Sequence, residues 1–218
     1  MRRFIMTAAL CCLGATSQAQ VVAGTDIAAQ RATSQRALPE ALSLLQAVVT
    51  PQNAARMGFR SAGAAASVRA TDPLVDFAIP LEALQGYGGG DPLGLLAATG
   101  LIVYPLQTDA GGYTAAKLTQ RNNEWTVAGV GAPGLTSATV RVRDRLAQEN
   151  GVAPGTVFQV RVPALKLHFV GLLRGGDLIL APVFDASAYG LAAGRSYAAP
   201  GVLSGLVPAA RAHSGDPG

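Results

Sequence analysis

Residues 73–82 read PLVDFAIPLE, and the hydrophobic period of two in this stretch indicates a β-strand. One face carries Val75, Phe77, Ile79 and Leu81, and the other carries Asp76, Ala78, Pro80 and Glu82. The alternation predicts a strand buried on one face only. Because Pro80 cannot donate a hydrogen bond to a neighbouring strand, we expect an edge strand or the end of one. Asp76 and Glu82 would then be solubilising charges, although they could also form a carboxylate pair.

Helical patterns precede this strand. Leu38, Leu42, Leu45 and Val49 recur at helical spacing, which predicts an amphipathic helix over 38–49. A second short helix is predicted after it, with Thr50 as the N-cap and Pro51 as the first helical residue. This helix should end near Gly58. The alanine-rich segment 61–69 predicts a third helical piece.

Strand patterns and turn residues dominate the chain after residue 82. Residues 101–106 (LIVYPL) and 156–162 predict single strands, the first of them interrupted by Pro105. Asn122-Asn123 is typical of a tight turn between strands 113–121 and 124–130. Arg174-Gly175-Gly176 likewise joins strands 166–173 and 177–184 in a second hairpin.

Residues 135–150 fit two patterns. Val140 and Val142 alternate with arginines as in a strand, but the length and the closing Asn150-Gly151 favour a helix. A further helix over 202–212, kinked at Pro208, closes the fold. We therefore predict an α+β fold: N-terminal helices packed on an antiparallel sheet built from hairpins, with a helix near 135–150 and a C-terminal helix.

The N-terminus has the order of a secretory signal peptide. Arg2 and Arg3 precede an apolar stretch, and Ser17-Gln18-Ala19 supplies small residues before a cleavage site. We expect a signal peptide over 1–19, a flexible tether over 20–35, one α+β domain over 36–212 and a disordered tail over 213–218. The predicted location is periplasmic or secreted.

Composition limits the partners. Both cysteines, Cys11 and Cys12, lie inside the leader, so the processed chain would have neither a disulfide nor thiol chemistry. Without Arg2 and Arg3, the 17 basic and 13 acidic residues become 15 and 13, a net charge of +2. Nucleic-acid binding is not expected, because the sequence lacks the concentrated basic face with aromatic residues that such binding requires. After cleavage no apolar run has the length of a membrane span.

The stretch Trp125–Gly134 (WTVAGVGAPG) has the G-x-G-x-x-G spacing of a dinucleotide-binding loop. Such a loop follows a parallel strand and leads to a carboxylate at the end of the next strand. Here the preceding strand belongs to a predicted hairpin, the next strand (VFQVRVPAL) ends without a carboxylate, and Pro133 removes one loop N–H. We expect a connecting loop and no nucleotide.

Candidate catalytic residues are few. Gly194-Arg195-Ser196-Tyr197-Ala198 approaches the nucleophile-elbow pattern but lacks a preceding strand. His168 is the one plausible general base, with Asp177 and Asp185 the nearest carboxylates in sequence. We predict no cofactor and no metal site, since the processed chain offers only His168 and His213 besides carboxylates. Trp125 and Tyr104 are expected in or beside the core.

Two functions remain. The favoured one is an exported, non-catalytic binding module that takes an envelope or secreted protein, or a peptide, through a sheet edge or groove. The alternative is a small secreted hydrolase using His168, with Ser196 and Asp177 as further candidates. A pocket holding His168, a serine and a carboxylate together would favour the hydrolase.

Overall fold

A computed structural model describes residues 21–213. The predicted signal peptide and residues 214–218 of the predicted tail lie outside the described residues. The helices are α1 (Ile27–Ser34), α2 (Leu38–Val48), α3 (Leu81–Gln85), α4 (Pro133–Asn150) and α5 (Ala199–Ala212). The strands are β1 (Val21–Val22), β2 (Thr25–Asp26), β3 (Arg69–Ala70), β4 (Leu74–Ala78), β5 (Ala97–Gln107), β6 (Tyr113–Arg121), β7 (Glu124–Gly131), β8 (Phe158–Val162), β9 (Leu167–Arg174), β10 (Asp177–Pro182) and β11 (Tyr197–Ala198).

One nine-stranded sheet organises these elements. Its strand order is β11-β10-β9-β8-β4-β5-β6-β7, and β3 pairs with β5 beside β4. Neighbours run antiparallel except β4 and β8, which are parallel. The predicted α+β class is confirmed, with the parallel pair at the centre as an addition that hairpin signals alone did not indicate.

Helices cover both faces of the sheet. The larger core joins α1, α2, α3 and α5 to one face, where Phe77, Phe158 and Phe169 are buried. The smaller core joins α4 to the opposite face through Val142, Leu146 and their neighbours. The sheet therefore lies between two layers of helix, and both sides of its central strands are removed from water.

The prediction that this strand is buried on one face only is wrong, because β4 is a central strand with both faces covered. Of the two alternatives drawn from Pro80, the edge strand is wrong and the end of a strand is confirmed. β4 lies between β5 and β8, and Asp76 is 0% exposed. Pro80 follows the end of the strand and caps α3, so its missing N–H costs the sheet no hydrogen bond. Glu82 lies in the first turn of α3, so it forms no carboxylate pair along a strand with Asp76.

Pro105, unlike Pro80, lies inside the sheet, at the point where β5 changes its pairing from β4 to β3. Its strand β5 pairs with β3 at Leu106 and with β4 at Val103. Between these points Pro105 accepts a hydrogen bond from the backbone N–H of Thr71 at 2.9 Å. A proline is tolerated here because the gap between β3 and β4 requires no N–H from it.

Residues 21–35 are not a tether. They form the β1–β2 hairpin and α1, with Val22 and Ile27 buried in the larger core. The Arg31 guanidinium donates to the carbonyl of Pro73 at 2.5 Å, which joins α1 to the start of β4. His213 caps the C-terminus of α5 through its N–H, so the helix ends where the tail was predicted to begin.

The remaining local predictions are largely confirmed. The helices near 38–49, 135–150 and 202–212 are present as α2, α4 and α5. In the first hairpin Asn122 and Asn123 have φ of 50° and 66°, as a tight turn requires. Residues 51–58 form turns where a second helix was predicted, and Ala62–Ser67 is a 3-10 helix. Within 21–213 no helix is both long and apolar enough to cross a bilayer.

Candidate functional site

A cavity of about 100 Å³ lies between the sheet and the N-terminal half of α4. Its polar lining comes from three strands and the helix: Lys117, Gln159, Arg161, His168, Thr136 and Thr139. Its apolar lining is aliphatic: Leu74, Leu101, Val103, Ala132 and Leu135. β6 is distant in sequence from β8 and β9, so only the folded sheet brings these groups together.

A buried ion pair borders this cavity. Arg161 donates to the Asp76 carboxylate from Nε at 2.8 Å and from Nη2 at 2.6 Å. The hydroxyl of Thr99 donates to Oδ2 of the same carboxylate at 2.7 Å. Hydrogen bonding to the carboxylate raises the pKa of Arg161. Asp76 is therefore fully satisfied and is not available as a general base.

β5 is distorted where it meets this carboxylate. β5 places three residues, Thr99–Leu101, opposite the single residue Asp76 of β4. Gly100 within this bulge has φ of 67°, a conformation that side chains other than glycine rarely adopt. The bulge aims the Thr99 hydroxyl at Asp76, which illustrates how such irregularities redirect side chains.

His168 lies beside this pair and is partly buried. It is directly opposite Arg161 in the β8–β9 register. Burial, followed by the positive charge of Arg161, lowers the pKa of His168 below its ordinary value of 6.5, so the ring is neutral at pH 7. Its Nδ1 is enclosed and has no hydrogen-bond partner within residues 21–213. The imidazole of His168 can therefore form hydrogen bonds in this cavity, but it carries no charge there at pH 7.

Lys117 and Gln159 were not singled out from the sequence. Lys117 forms no ion pair within residues 21–213, and its ammonium is left with no neutralising carboxylate there. Gln159 is only 6% exposed, and its amide forms no hydrogen bond to any described residue. In the predicted strand 156–162, Gln159 and Arg161 alternate with apolar residues, which indicates one polar face. The sequence does not indicate that this face is buried, because its burial depends on packing against α4.

The glycines of the dinucleotide-like spacing lead into the same region. Gly129 and Gly131 lie on β7, which is antiparallel to β6. Ala132, with φ of 60°, then forms the N-cap of α4, and Pro133 opens the helix. The strand–helix geometry is therefore not that of a parallel βαβ nucleotide site.

The structure separates His168 from the other two catalytic candidates, Ser196 and Asp177. Ser196 and Asp177 line a different cavity, of about 510 Å³, at the β10–β11 side of the sheet, and His168 is not among its lining residues. Ser196 donates to Glu149 at 3.2 Å. Asp185 accepts a hydrogen bond from the N–H of Ala193. No serine lines the cavity of His168, and its two threonine hydroxyls donate to carbonyls of α4 or its N-cap.

The two aromatic candidates have packing roles. Tyr104 is buried, and its hydroxyl lies 2.7 Å from the hydroxyl of Ser34. Trp125 is partly buried, and its Nε1 donates to Thr33 at 3.0 Å. Within residues 21–213, no group of three or more histidine and carboxylate side chains is arranged to hold a metal ion.

The two ends of the sheet differ. β7 pairs with β6 on one side, and no strand of residues 21–213 pairs with its other side over eight residues. At the opposite end the two-residue strand β11 covers Ile179 and Leu180 of β10. β7 is thus the long exposed edge of the described fold.

No protein-family model, curated protein or solved structure matches this chain.

Proposed function

We propose that this protein is an exported, non-catalytic binding module that takes an extended peptide of a protein partner along β7. The observation that carries the proposal is the open edge of β7, Glu124–Gly131, within the described fold. An edge strand presents a row of backbone N–H and C=O groups to which another strand can be added. Several peptide-binding domains use this mode, in which main-chain hydrogen bonds supply affinity.

The composition of β7 supports this use. Proteins commonly protect an edge with proline or lysine, and β7 has neither. Its register shifts at Ala128, which has no partner in β6. This bulge divides the edge and leaves Glu124–Val127 as one regular stretch for a short peptide.

A groove beside this stretch offers side-chain selectivity. About 400 Å³ of space lies between the hairpin tip and the helical segment that follows α1. The groove is lined by Thr33, Arg36, Ala37, Glu40, Asn123, Glu124 and Trp125. An aromatic wall with charges of both signs fits a peptide that carries an apolar and a polar side chain on the same face.

The hydrolase alternative is less well supported. It requires His168, a serine and a carboxylate in one pocket, whereas Ser196 and Asp177 line the other cavity. Asp76, the carboxylate whose charge acts on His168, is engaged by Arg161 and Thr99. A binding role requires none of these side chains to react.

The proposal is tested by selecting linear peptides from a random library on the exported protein. The tightest binder is synthesised again with alternate amides N-methylated, and hydrogen exchange locates the protected backbone amides. We expect protection on β7 and loss of binding on N-methylation, because strand addition depends on main-chain hydrogen bonds. Protection confined to β10 and β11, or full binding by the N-methylated peptide, would contradict it.

The two edges offer a matched pair of variants. Ala128 in β7 and Ala198 in β11 are both exposed alanines on edge strands. Ala128→Lys adds the charge that proteins use to block an edge and should weaken the selected peptide by about tenfold or more. Ala198→Lys makes the same change at the other edge and should leave the affinity within about twofold. Equal effects of the two changes would count against β7.

Export is a separate part of the proposal and rests on the order of residues 1–19. The processed chain should begin at Gln20 and carry no lipid on Cys11 or Cys12. Intact-mass measurement of the protein from the envelope or medium checks this. A species that retains the leader cysteines with acyl chains attached would contradict it.

A further inference from the structure

We propose that the cavity beneath α4 binds a short aliphatic carboxylate, held by Lys117, Gln159 and His168. This site is separate from the β7 edge and does not depend on it. The cavity volume of about 100 Å³ suits a ligand of a few non-hydrogen atoms and has room for more than a single water molecule.

The charged side chains around the cavity determine which charge a ligand should carry. Lys117 and Arg161 are cationic, and Asp76 cancels one of these charges through its two hydrogen bonds from Arg161. His168 is neutral at pH 7 because its pKa is lowered by burial and by Arg161. One positive charge, that of Lys117, is left with no carboxylate partner within residues 21–213. A monoanion would neutralise it, whereas a dianion would place excess negative charge beside the buried Asp76.

Unused hydrogen-bonding groups point to the same class of ligand. Gln159 is 6% exposed as a whole residue and lines the cavity, and its side-chain amide forms no hydrogen bond to another described residue. Buried polar groups in native proteins are normally satisfied, so an amide left unpaired at a cavity indicates that something else binds there. His168 lines the cavity and its Nδ1 is enclosed, so the proposed ligand would bind at the other ring nitrogen, Nε2. A carboxylate accepts from both groups and from the Lys117 ammonium.

The N-terminus of α4 adds a favourable dipole. Ala132 provides no side-chain cap, and no acidic residue lies in the first turn of this 18-residue helix. Ala132, Leu135 and Thr136 form the helix side of the cavity wall. The partial positive charge of a helix N-terminus favours an anion at this position.

The rest of the lining selects the body of the ligand. Leu74, Leu101, Val103 and Leu135 form aliphatic walls. Apolar surface of this kind gains free energy by covering methylene groups and gains nothing from a fully polar ion. A short unbranched acid such as butyrate presents one carboxylate to the polar groups and its hydrocarbon chain to these walls.

The test is a titration of the isotope-labelled exported protein with sodium butyrate, butyramide and inorganic phosphate at pH 7. The imidazole signals of His168 and the side-chain amide of Gln159 report binding at the site. We expect saturable shifts with butyrate, with a Kd in the millimolar range for a ligand of about six non-hydrogen atoms. Butyramide, which has the same shape without the charge, should not saturate, and phosphate should bind more weakly than butyrate.

The two lysines of the processed chain provide matched variants. Lys117→Gln removes the unpaired charge from the cavity and should weaken butyrate binding by about tenfold or more. Lys166→Gln removes an exposed lysine that does not line the cavity and should change the Kd by less than about twofold. If Lys117→Gln does not fold, the comparison of butyrate with butyramide on the unmodified protein decides alone. Equal binding of these two molecules, tighter binding of phosphate, or equal effects of the two substitutions would overturn the proposal.

Discussion

Arg161 and Asp76 form a two-point ion pair across the parallel strands β4 and β8, with N–O distances of 2.8 and 2.6 Å. The carboxylate is completely buried, while the Arg161 side chain keeps 29% of its surface exposed. A buried charge is tolerated when it is paired and hydrogen-bonded, and here Thr99 supplies the third contact. The pair thus lies where the sheet changes from antiparallel to parallel pairing, at the rim of the cavity.

Removing this carboxylate should destabilise the fold strongly. We expect Asp76→Ala to cost about 3 kcal/mol or more, because it leaves Arg161 and Thr99 without their shared partner. That cost is similar to the roughly 3–5 kcal/mol expected for Phe77→Ala on the other face of β4. Urea denaturation of the purified variants measures both.

Glu82 is the matched control for Asp76, since it belongs to the same sequence pattern but lies in the first turn of α3. Glu82→Ala should cost less than about 1 kcal/mol, the usual range of a helix-terminal charge. An Asp76→Ala loss as small as that of Glu82→Ala would show that the ion pair contributes little to stability.

Gly171 should not tolerate a methyl group. A Cβ at this position would lie 2.6 Å from Cε2 of Phe158, its direct partner across β8 and β9. Phe158 is held in an edge-to-face contact with Phe77, with ring centroids 5.3 Å apart, so its ring has little freedom to move away. We expect Gly171→Ala to cost about 1–3 kcal/mol.

A double variant distinguishes this overlap from a general weakening of the strand. Adding Phe158→Leu to Gly171→Ala should cost less than the sum of the two single changes, because the smaller side chain makes room for the methyl group. Strict additivity in thermal or urea unfolding would mean that the two positions do not compete for space.

Stability should depend on pH through His168. Its pKa is lowered in the folded protein by burial, Arg161 and Lys117, and Asp76 only partly offsets this. The unfolded chain therefore binds the proton more readily, and the contribution to stability is present above pH 6.5 and lost as the pH falls below it. The loss is at most about 1.4 kcal/mol per pH unit for one proton.

His168→Gln should remove this component, so the difference in unfolding free energy between the original protein and the variant should narrow as the pH falls from 7 to about 5. Lys166→Gln, an exposed change outside the cavity, should leave the slope unaltered. A constant difference between His168→Gln and the original protein over this range would contradict the prediction.

The glycine loop should bind no dinucleotide. Calorimetric titration with NAD, NADP and FAD should give no saturable heat, because β7 enters the loop as an antiparallel strand and Pro133 lacks an N–H. The test should use the unmodified protein and not a glycine variant of the loop. Gly131 has φ of 121°, and a Cβ at this position would lie 3.4 Å from Cε of Met57, so Gly131→Val is expected to lose stability for reasons unrelated to any ligand. Saturable micromolar binding of any of the three would contradict the prediction.

Local patterns in the sequence were sufficient for the elements whose signals are local. The Leu38–Val48 helix follows from its apolar spacing, and the turn at Asn122-Asn123 follows from residues that accept positive φ. The α4 helix could be chosen over a strand because its length and the closing Gly151 are properties of the chain itself. Residues 21–35 were missed because their burial comes from contacts that α1 makes far along the chain, such as that of Arg31 with Pro73.

Which strands are central and which face water becomes clear only from the folded chain. The period of two in 73–82 assigns Asp76 and Phe77 to opposite faces, but it carries no information on whether a helix covers either face. Because α4 covers one face and the other helices cover the opposite one, the polar positions Asp76, Gln159 and Arg161 are drawn into a shared low-dielectric environment. The fold class, the hairpins and the helices α2, α4 and α5 could be predicted from the sequence, because their signals depend on neighbouring residues. Strand order and the cavity depend on packing between distant segments, and so they appear only in the folded chain.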